Sequence, residues 1–260
     1  MAEATYTARV IVLRKTKLGE ADLVLTMLAD DGSQLRAVAK GARKPKSSFA
    51  ARLELYARAD VLIARGRSLD IVKEARLVKG YRALHEGLEQ SACAAAAAEL
   101  AARVSQPGLA MPRLFPMTEA ALDWMDRTEA PDALAICAAH LLKTMALAGF
   151  RPSFDVCASC GGPARSHAAL GPEGPTVSFS YAEGGVLCPA CAAHADALRV
   201  PVAVCACAHT LLASTFEQVA ALKVPVGDSF AVLRLTQGWA REHVGANLKS
   251  LRFLFESGLF

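Results

Sequence analysis

The sequence predicts an α+β chain in which a small N-terminal β-barrel precedes an all-α domain with a cysteine-bearing insertion. Three observations carry this. Short apolar runs of period two fill residues 5 to 76, helical spacing takes over after Gly80, and two C-x-x-C pairs interrupt the helical half. With 53% hydrophobic and 21% charged residues among 260, the chain can bury a sizeable core. Its length predicts more than one folding unit.

The strand runs are Ala8, Val10, Val12; Leu23, Val24, Leu25, Met27; Leu35, Ala37, Ala39; Leu53, Leu55; Val61, Ile63; and Leu69, Ile71. Turn signals separate them at Lys17-Leu18-Gly19, Asp30-Asp31-Gly32, Gly41 and Arg65-Gly66-Arg67-Ser68. Five or so strands without a helical repeat between them predict an OB-like or SH3-like barrel over residues 1–80.

Residues 81–104, with the alanine-rich run from Ala92 to Ala98, read as a helix. Pro107, Gly108, Pro112 and Pro116 punctuate a connection, after which Met117 to Arg127 and Ala133 to Ala148 show helical spacing. Helical spacing returns from Val204 to Leu222 and from Asp228 to Leu248. Residues 81–149 and 201–260 are therefore expected to form one helical domain, with 150–200 inserted into it.

Cys157-Ala158-Ser159-Cys160 and Cys188-Pro189-Ala190-Cys191 give the sharpest chemical signal. A two-residue gap lets both thiolates of a pair reach one ion, and two pairs complete the tetrahedron of sulfurs that a structural Zn²⁺ accepts. The 27 intervening residues, rich in Gly and Pro around the strand-like Thr176–Ser180, suit a zinc-ribbon-like insertion holding one structural ion. His167 and His194 are alternative ligands. Cys93 and Cys137 read as core residues, and Cys205 and Cys207 beside His209 as a weaker second metal motif. The zinc deaminase and H-E-x-x-H patterns are missing, as are the Walker, dinucleotide and G-x-S-x-G motifs. No catalytic residue is assigned, and a protein that is not an enzyme is expected.

Charge is uneven. The first 80 residues hold 16 basic and 9 acidic side chains, while the remainder is net acidic. Arg14, Lys15 and Lys17 cluster at the first turn, and Arg36 leads into Lys40, Arg43, Lys44 and Lys46 in a Gly-, Pro- and Ser-rich loop that can neutralise phosphates. Tyr6, Phe49 and Tyr56 are the only aromatic residues there, which favours sequence-independent backbone contact. The N-terminus lacks a secretory pattern and no long uninterrupted apolar run suggests a membrane span, so a cytoplasmic protein with reduced thiols is expected.

Ala8-Arg9-Val10-Ile11-Val12-Leu13, Leu18-Gly19-Glu20-Ala21-Asp22, the stretch from Ala39 to Ser47, Gly66-Arg67-Ser68-Leu69, the four cysteines and Leu248-Lys249-Ser250-Leu251-Arg252 together resemble the bacterial RecO family of DNA repair proteins. The resemblance implies an N-terminal OB-fold, a helical domain and a zinc element. It also implies a recombination mediator that binds ssDNA and dsDNA and anneals complementary strands. With RecR, and in some bacteria RecF, such a protein helps RecA replace single-strand binding protein (SSB), whose tail it contacts, at the nucleoid. Lys40, Arg43, Lys44 and Lys46 would be DNA contacts, joined by Arg14, Lys15, Lys17 and Arg36, and Cys157, Cys160, Cys188 and Cys191 the zinc ligands. The alternative readings are a zinc-ribbon adaptor between proteins without DNA binding, and a zinc-dependent nucleic-acid enzyme.

Overall fold

The structure is a computed structural model describing residues 4–164, 169–171 and 174–260. Two compact units divide the chain, one ending at Arg127 and the other beginning at Thr128.

In the first unit, β1 (Thr5–Leu18), β2 (Asp22–Ala29), β3 (Gln34–Ala39), β4 (Arg58–Ala64) and β5 (Asp70–Lys79) close into a barrel of order β1-β2-β3-β5-β4. All pairings are antiparallel except β3 with β5, where Ala37 faces Asp70 and Val38 faces Ile71. This is the five-stranded OB arrangement. Alternate residues fill the interior: Val10 and Val12, Leu25 and Met27, Ala37 and Ala39, Val61 and Ile63. Leu53, read in the sequence as part of a strand, instead lies in the β3–β4 loop, where it is 2% exposed and packs into the barrel core.

The register of β1 shifts between Val12 and Arg14. Val12 pairs with inward-facing Met27, and after the bulge Arg14 pairs with Thr26, so Arg14 points outward and Lys15, opposite Leu25, lies on the inner row at the barrel mouth.

The helix read over 81–104 is broken at Gly87 into α1 (Ala83–Glu86) and α2 (Leu88–Val104), followed by α3 (Leu114–Arg127). α2 packs on β1 and β2, on whose outer surface Ile11 and Leu28 are fully buried. Gln34 Nε2 donates to Ala102 O at 2.8 Å and Ser105 O at 3.2 Å. α3 is tied to the barrel by an Arg58–Glu119 ion pair and by Lys79–Asp123 at 2.6 Å, and Asp126 accepts the Ala83 N–H at 2.8 Å. These ties place α1–α3 in the same compact unit as the barrel.

The second unit starts with α4 (Ala130–Leu147). A small sheet follows, made of β6 (Ala169–Gly171), β7 (Gly174–Ser180), β8 (Gly185–Leu187) and, after the short α5 (Pro189–Ala192), β9 (Leu198–Pro201). β7 is central. β9 lies along one side of it, and β6 then β8 succeed each other along the other. The chain ends in α6 (Val202–Ala213), α7 (Phe216–Leu222), α8 (Val226–Val244) and α9 (Lys249–Glu256). The long helical run read over 204–222 is two helices, because Thr215 and Gln218 form a capping box that starts α7. α4 packs against α6, α7 and α8, so helices on both sides of the cysteine segment share one core. By length and composition α4 alone among the described helices could cross a membrane, and most of its residues are buried within this unit.

Candidate nucleic-acid interface and metal centre

Arg14 on β1, Thr26 on β2 and Arg36 on β3 stand directly opposite one another across the sheet, so the two arginines share an outer face about 10 Å apart. Lys17, next to last in β1, pairs with Leu23, and Lys40, Lys44 and Lys46 stand on the loop that leaves β3. Arg14, Lys17, Arg36, Lys40, Lys44 and Lys46 are all exposed, and none is ion-paired with a carboxylate among the described residues. The sequence-predicted cations thus lie on the outer face of β1 and β3, beyond the part that α2 covers, and on the loops around the Leu18–Asp22 turn.

Two of the eight have local partners. Lys15 Nζ is 2.8 Å from Glu54 Oε2, which neutralises it. Arg43 donates from one guanidinium nitrogen to Gly19 O at 3.0 Å and Glu20 O at 2.8 Å, and from its backbone N–H to Ala21 O at 2.9 Å. The Gly41 N–H donates to Asp22 Oδ1 at 2.7 Å. The Leu18–Asp22 turn and the Lys40–Lys44 loop are therefore bonded to each other as one structure, and Arg43 serves in part as a staple that shapes it.

In the sequence, Arg65-Gly66-Arg67-Ser68 reads as a turn and carries part of the family resemblance, with no cation there counted as a DNA contact. The parallel pairing of Ala37 with Asp70 sets the start of β5 beside β3 near Arg36, and Arg67 on the preceding β4–β5 turn is exposed. No local signal reveals this, since it depends on β5 lying beside β3. Arg65 is engaged, with its guanidinium 5.2 Å from the Tyr6 ring centre.

In the second unit, Cys157, Cys160, Cys188 and Cys191 converge, with all four sulfurs within 4.8 Å of one another and 3.9 Å between Cys160 and Cys188. Thiolates bound tetrahedrally at about 2.3 Å stand roughly 3.8 Å apart, so the quartet fits a structural metal ion and fills its coordination shell. Each pair sits on a hydrogen-bonded knuckle. The Cys157 N–H donates to Gly162 O and the Gly161 N–H to Cys157 O, both at 2.8 Å, while Cys188 precedes α5, whose Ala192 N–H donates to Cys188 O. Ala158 N–H to Val186 O at 2.8 Å joins the first knuckle to β8. Burial pushes the Cys157 thiol up, but backbone amides of Cys160, Cys188 and Ser159 more than offset this and bring it to about 6. The neighbouring Cys188 sulfur pushes Cys191 up to about 12.

His194 does not join the quartet, and His167 lies outside the described residues. Among the described residues Cys205, Cys207 and His209 form no second cluster. Cys205 is fully buried, and His209 Nδ1 lies 2.6 Å from Asp155 Oδ2. Cys93 and Cys137 are core residues, as expected.

Comparison with known proteins agrees with this architecture. Residues 1–81 match the family described as Recombination protein O N terminal, and residues 85–252 match Recombination protein O C terminal. The chain is 34% identical over 257 residues to the DNA repair protein RecO of Bifidobacterium animalis subsp. lactis, covering 96% of this chain and 99% of the relative. It is 37% identical over 197 residues to that of Frankia casuarinae, covering 74% and 75%, and 34% over 199 residues to that of Rubrobacter xylanophilus, covering 76% of each. With both family models spanning nearly its whole length, the chain belongs to the RecO family of DNA repair and recombination proteins.

Proposed function

We propose that this protein is a non-enzymatic, cytoplasmic recombination mediator that binds ssDNA and dsDNA through the basic end of its barrel. The observation that carries the reading is the cluster of exposed cations, Arg14, Lys17, Arg36, Lys40, Lys44 and Lys46, without an acidic partner among the described residues. Such a face neutralises phosphates whatever the sequence. By lowering repulsion between two strands it would promote annealing. With RecR, and with RecF in some bacteria, the protein would help RecA replace SSB, whose tail it would hold.

Zn²⁺ is the ion the four thiolates suit, since an all-sulfur tetrahedron is a closed structural site. When bound it supplies a cross-link between the two knuckles. Residues 157–162 and 185–192 provide the backbone bonds that aim the sulfurs.

The decisive experiment measures ssDNA affinity across a salt series. Replacing Lys40, Lys44 and Lys46 together by Ala should flatten the slope of log affinity against log salt by about 2, because each contact with a single strand contributes about 0.7. An unchanged slope would remove the loop from DNA binding. Annealing of SSB-coated complementary strands should weaken in parallel.

A further inference from the structure

The barrel contains three aromatic side chains, and the structure separates their roles. Tyr56 is 4% exposed. Tyr6 donates its hydroxyl to Asp70 at 2.5 Å and lies under the Arg65 guanidinium. Phe49, on the β3–β4 loop, is half-buried and lines two clefts.

The larger cleft, about 450 Å³, mixes Asp60 and Glu74 with Arg52 and Arg76 and so repels as well as attracts a phosphodiester. The smaller, about 200 Å³, opens at the barrel mouth with Leu23, Ala42 and Leu53 as apolar wall, Phe49 as aromatic wall and Lys17 at its edge. Drug-sized ligands occupy roughly 300–1,000 Å³. A cleft of this size accepts one planar ring system and excludes a whole nucleotide. Its position within the basic face means that a strand whose phosphates rest on Lys17 and the Lys40–Lys46 loop passes directly over it. The Lys15–Glu54 pair beside it offers both a donor and an acceptor, which any base edge can use.

We infer that this cleft seats one unstacked nucleobase of a single strand against Phe49, while flanking phosphodiesters lie on Lys17 and the basic loop. The inference rests on the DNA-binding reading above and adds a base contact to a face otherwise built for the backbone. Stacking on an aromatic ring tolerates every base, so the seat adds affinity without sequence preference. It would also distinguish single strands, whose bases are free to turn out, from duplex.

The test compares a labelled thymidine oligomer with an abasic sugar–phosphate oligomer of equal length, on the full chain, across a salt series. The wild type should bind the thymidine oligomer roughly 5- to 100-fold more tightly, with parallel salt slopes because both polymers carry the same phosphates. Phe49→Ala should abolish this preference and leave abasic binding unchanged. Phe49→Leu fills the space against the barrel without a π face, and should shrink the preference while keeping the thermal midpoint. Equal binding of the two oligomers by the wild type would overturn the base seat and leave backbone binding intact. A Phe49 variant that weakened both polymers alike would also overturn it, by showing a structural role. If the wild type bound neither oligomer at low salt, the DNA-binding reading itself would fail.

Discussion

Single side chains decide more of this molecule than their sequence neighbours reveal. Simple alternation from Val12 would turn Arg14 into the barrel. The bulge at Leu13 turns it out to share a face with Arg36, and no residue type in the stretch announces a bulge. Arg43 was legible as a cation but not as a staple, because its acceptors, Gly19 O and Glu20 O, are main-chain atoms. Arg43→Ala should therefore lower stability by about 1–2 kcal/mol, at about 1 kcal/mol per lost bond, and loosen the loop; hydrogen exchange of the Gly41 and Arg43 amides reads the loosening directly. In the other unit, His140 is fully buried on α4. Desolvation, aided by the positive Lys143, pushes its imidazole down to about 3. Its folded pKa lies below the unfolded value, so between about pH 6.5 and 3 the unfolded chain binds the extra proton and stability falls as pH falls, by up to ~1.4 kcal/mol per pH unit. Above about 6.5 this contribution is flat. Urea midpoints of the wild type should accordingly fall more steeply with acid than those of His140→Gln.

At the scale of elements, β1 to β4 were legible because each carries its own alternation, whereas β5 was read from Leu69 and Ile71 although Val72 and Ala75 face the core. The order of the strands was not legible, because the β3–β5 pairing that closes the barrel joins strands with no local link. The cysteine knuckles were legible for the opposite reason, since the two-residue gap that lets a pair share an ion is itself a local pattern. How the ribbon is seated on the helices was not legible. Phe179 and Tyr181 from β7 and its turn pack around Trp239 of α8, with ring centres 5.7 and 6.2 Å away, and Trp239 Nε1 donates to Phe150 O at 2.9 Å. Gly238 makes this approach possible, because a Cβ there would meet the Tyr181 ring at 2.3 Å. Gly185, at φ +149°, is held tighter still, as a Cβ would lie 2.2 Å from Ser153 O. Gly185→Ala should cost about 1–3 kcal/mol by forcing Ser153, just ahead of the first knuckle, away from β8, and metal retention on dialysis should drop with it.

Across the whole chain, cations and thiolates belong to different compact units, with the basic face before Arg127 and the quartet after Thr128. The composition shift near Gly80 matches the border between the two family regions, at residues 81 and 85. Packing moves the structural border beyond α3, because Lys79–Asp123 and Arg58–Glu119 bind that helix to the barrel. Long-range ion pairs of this kind leave no trace in composition. The separation makes a prediction: Cys160→Ser should lose the metal and increase hydrogen exchange across residues 153–164 and 185–201, while the salt slope of ssDNA binding stays that of the wild type. A slope that fell with metal loss would mean that the quartet shapes the phosphate contacts.

Closure of the barrel also bears on how copies of the chain could associate. Because the fifth strand pairs with the third at Ala37–Asp70 and Val38–Ile71, the barrel is closed and only short stretches of β3 and β5 beside that pairing are left for another chain to extend. If copies crowd along one polynucleotide as proposed, they would then have little template for amyloid-like growth at this domain, and a clump formed there should dissolve once the DNA is digested.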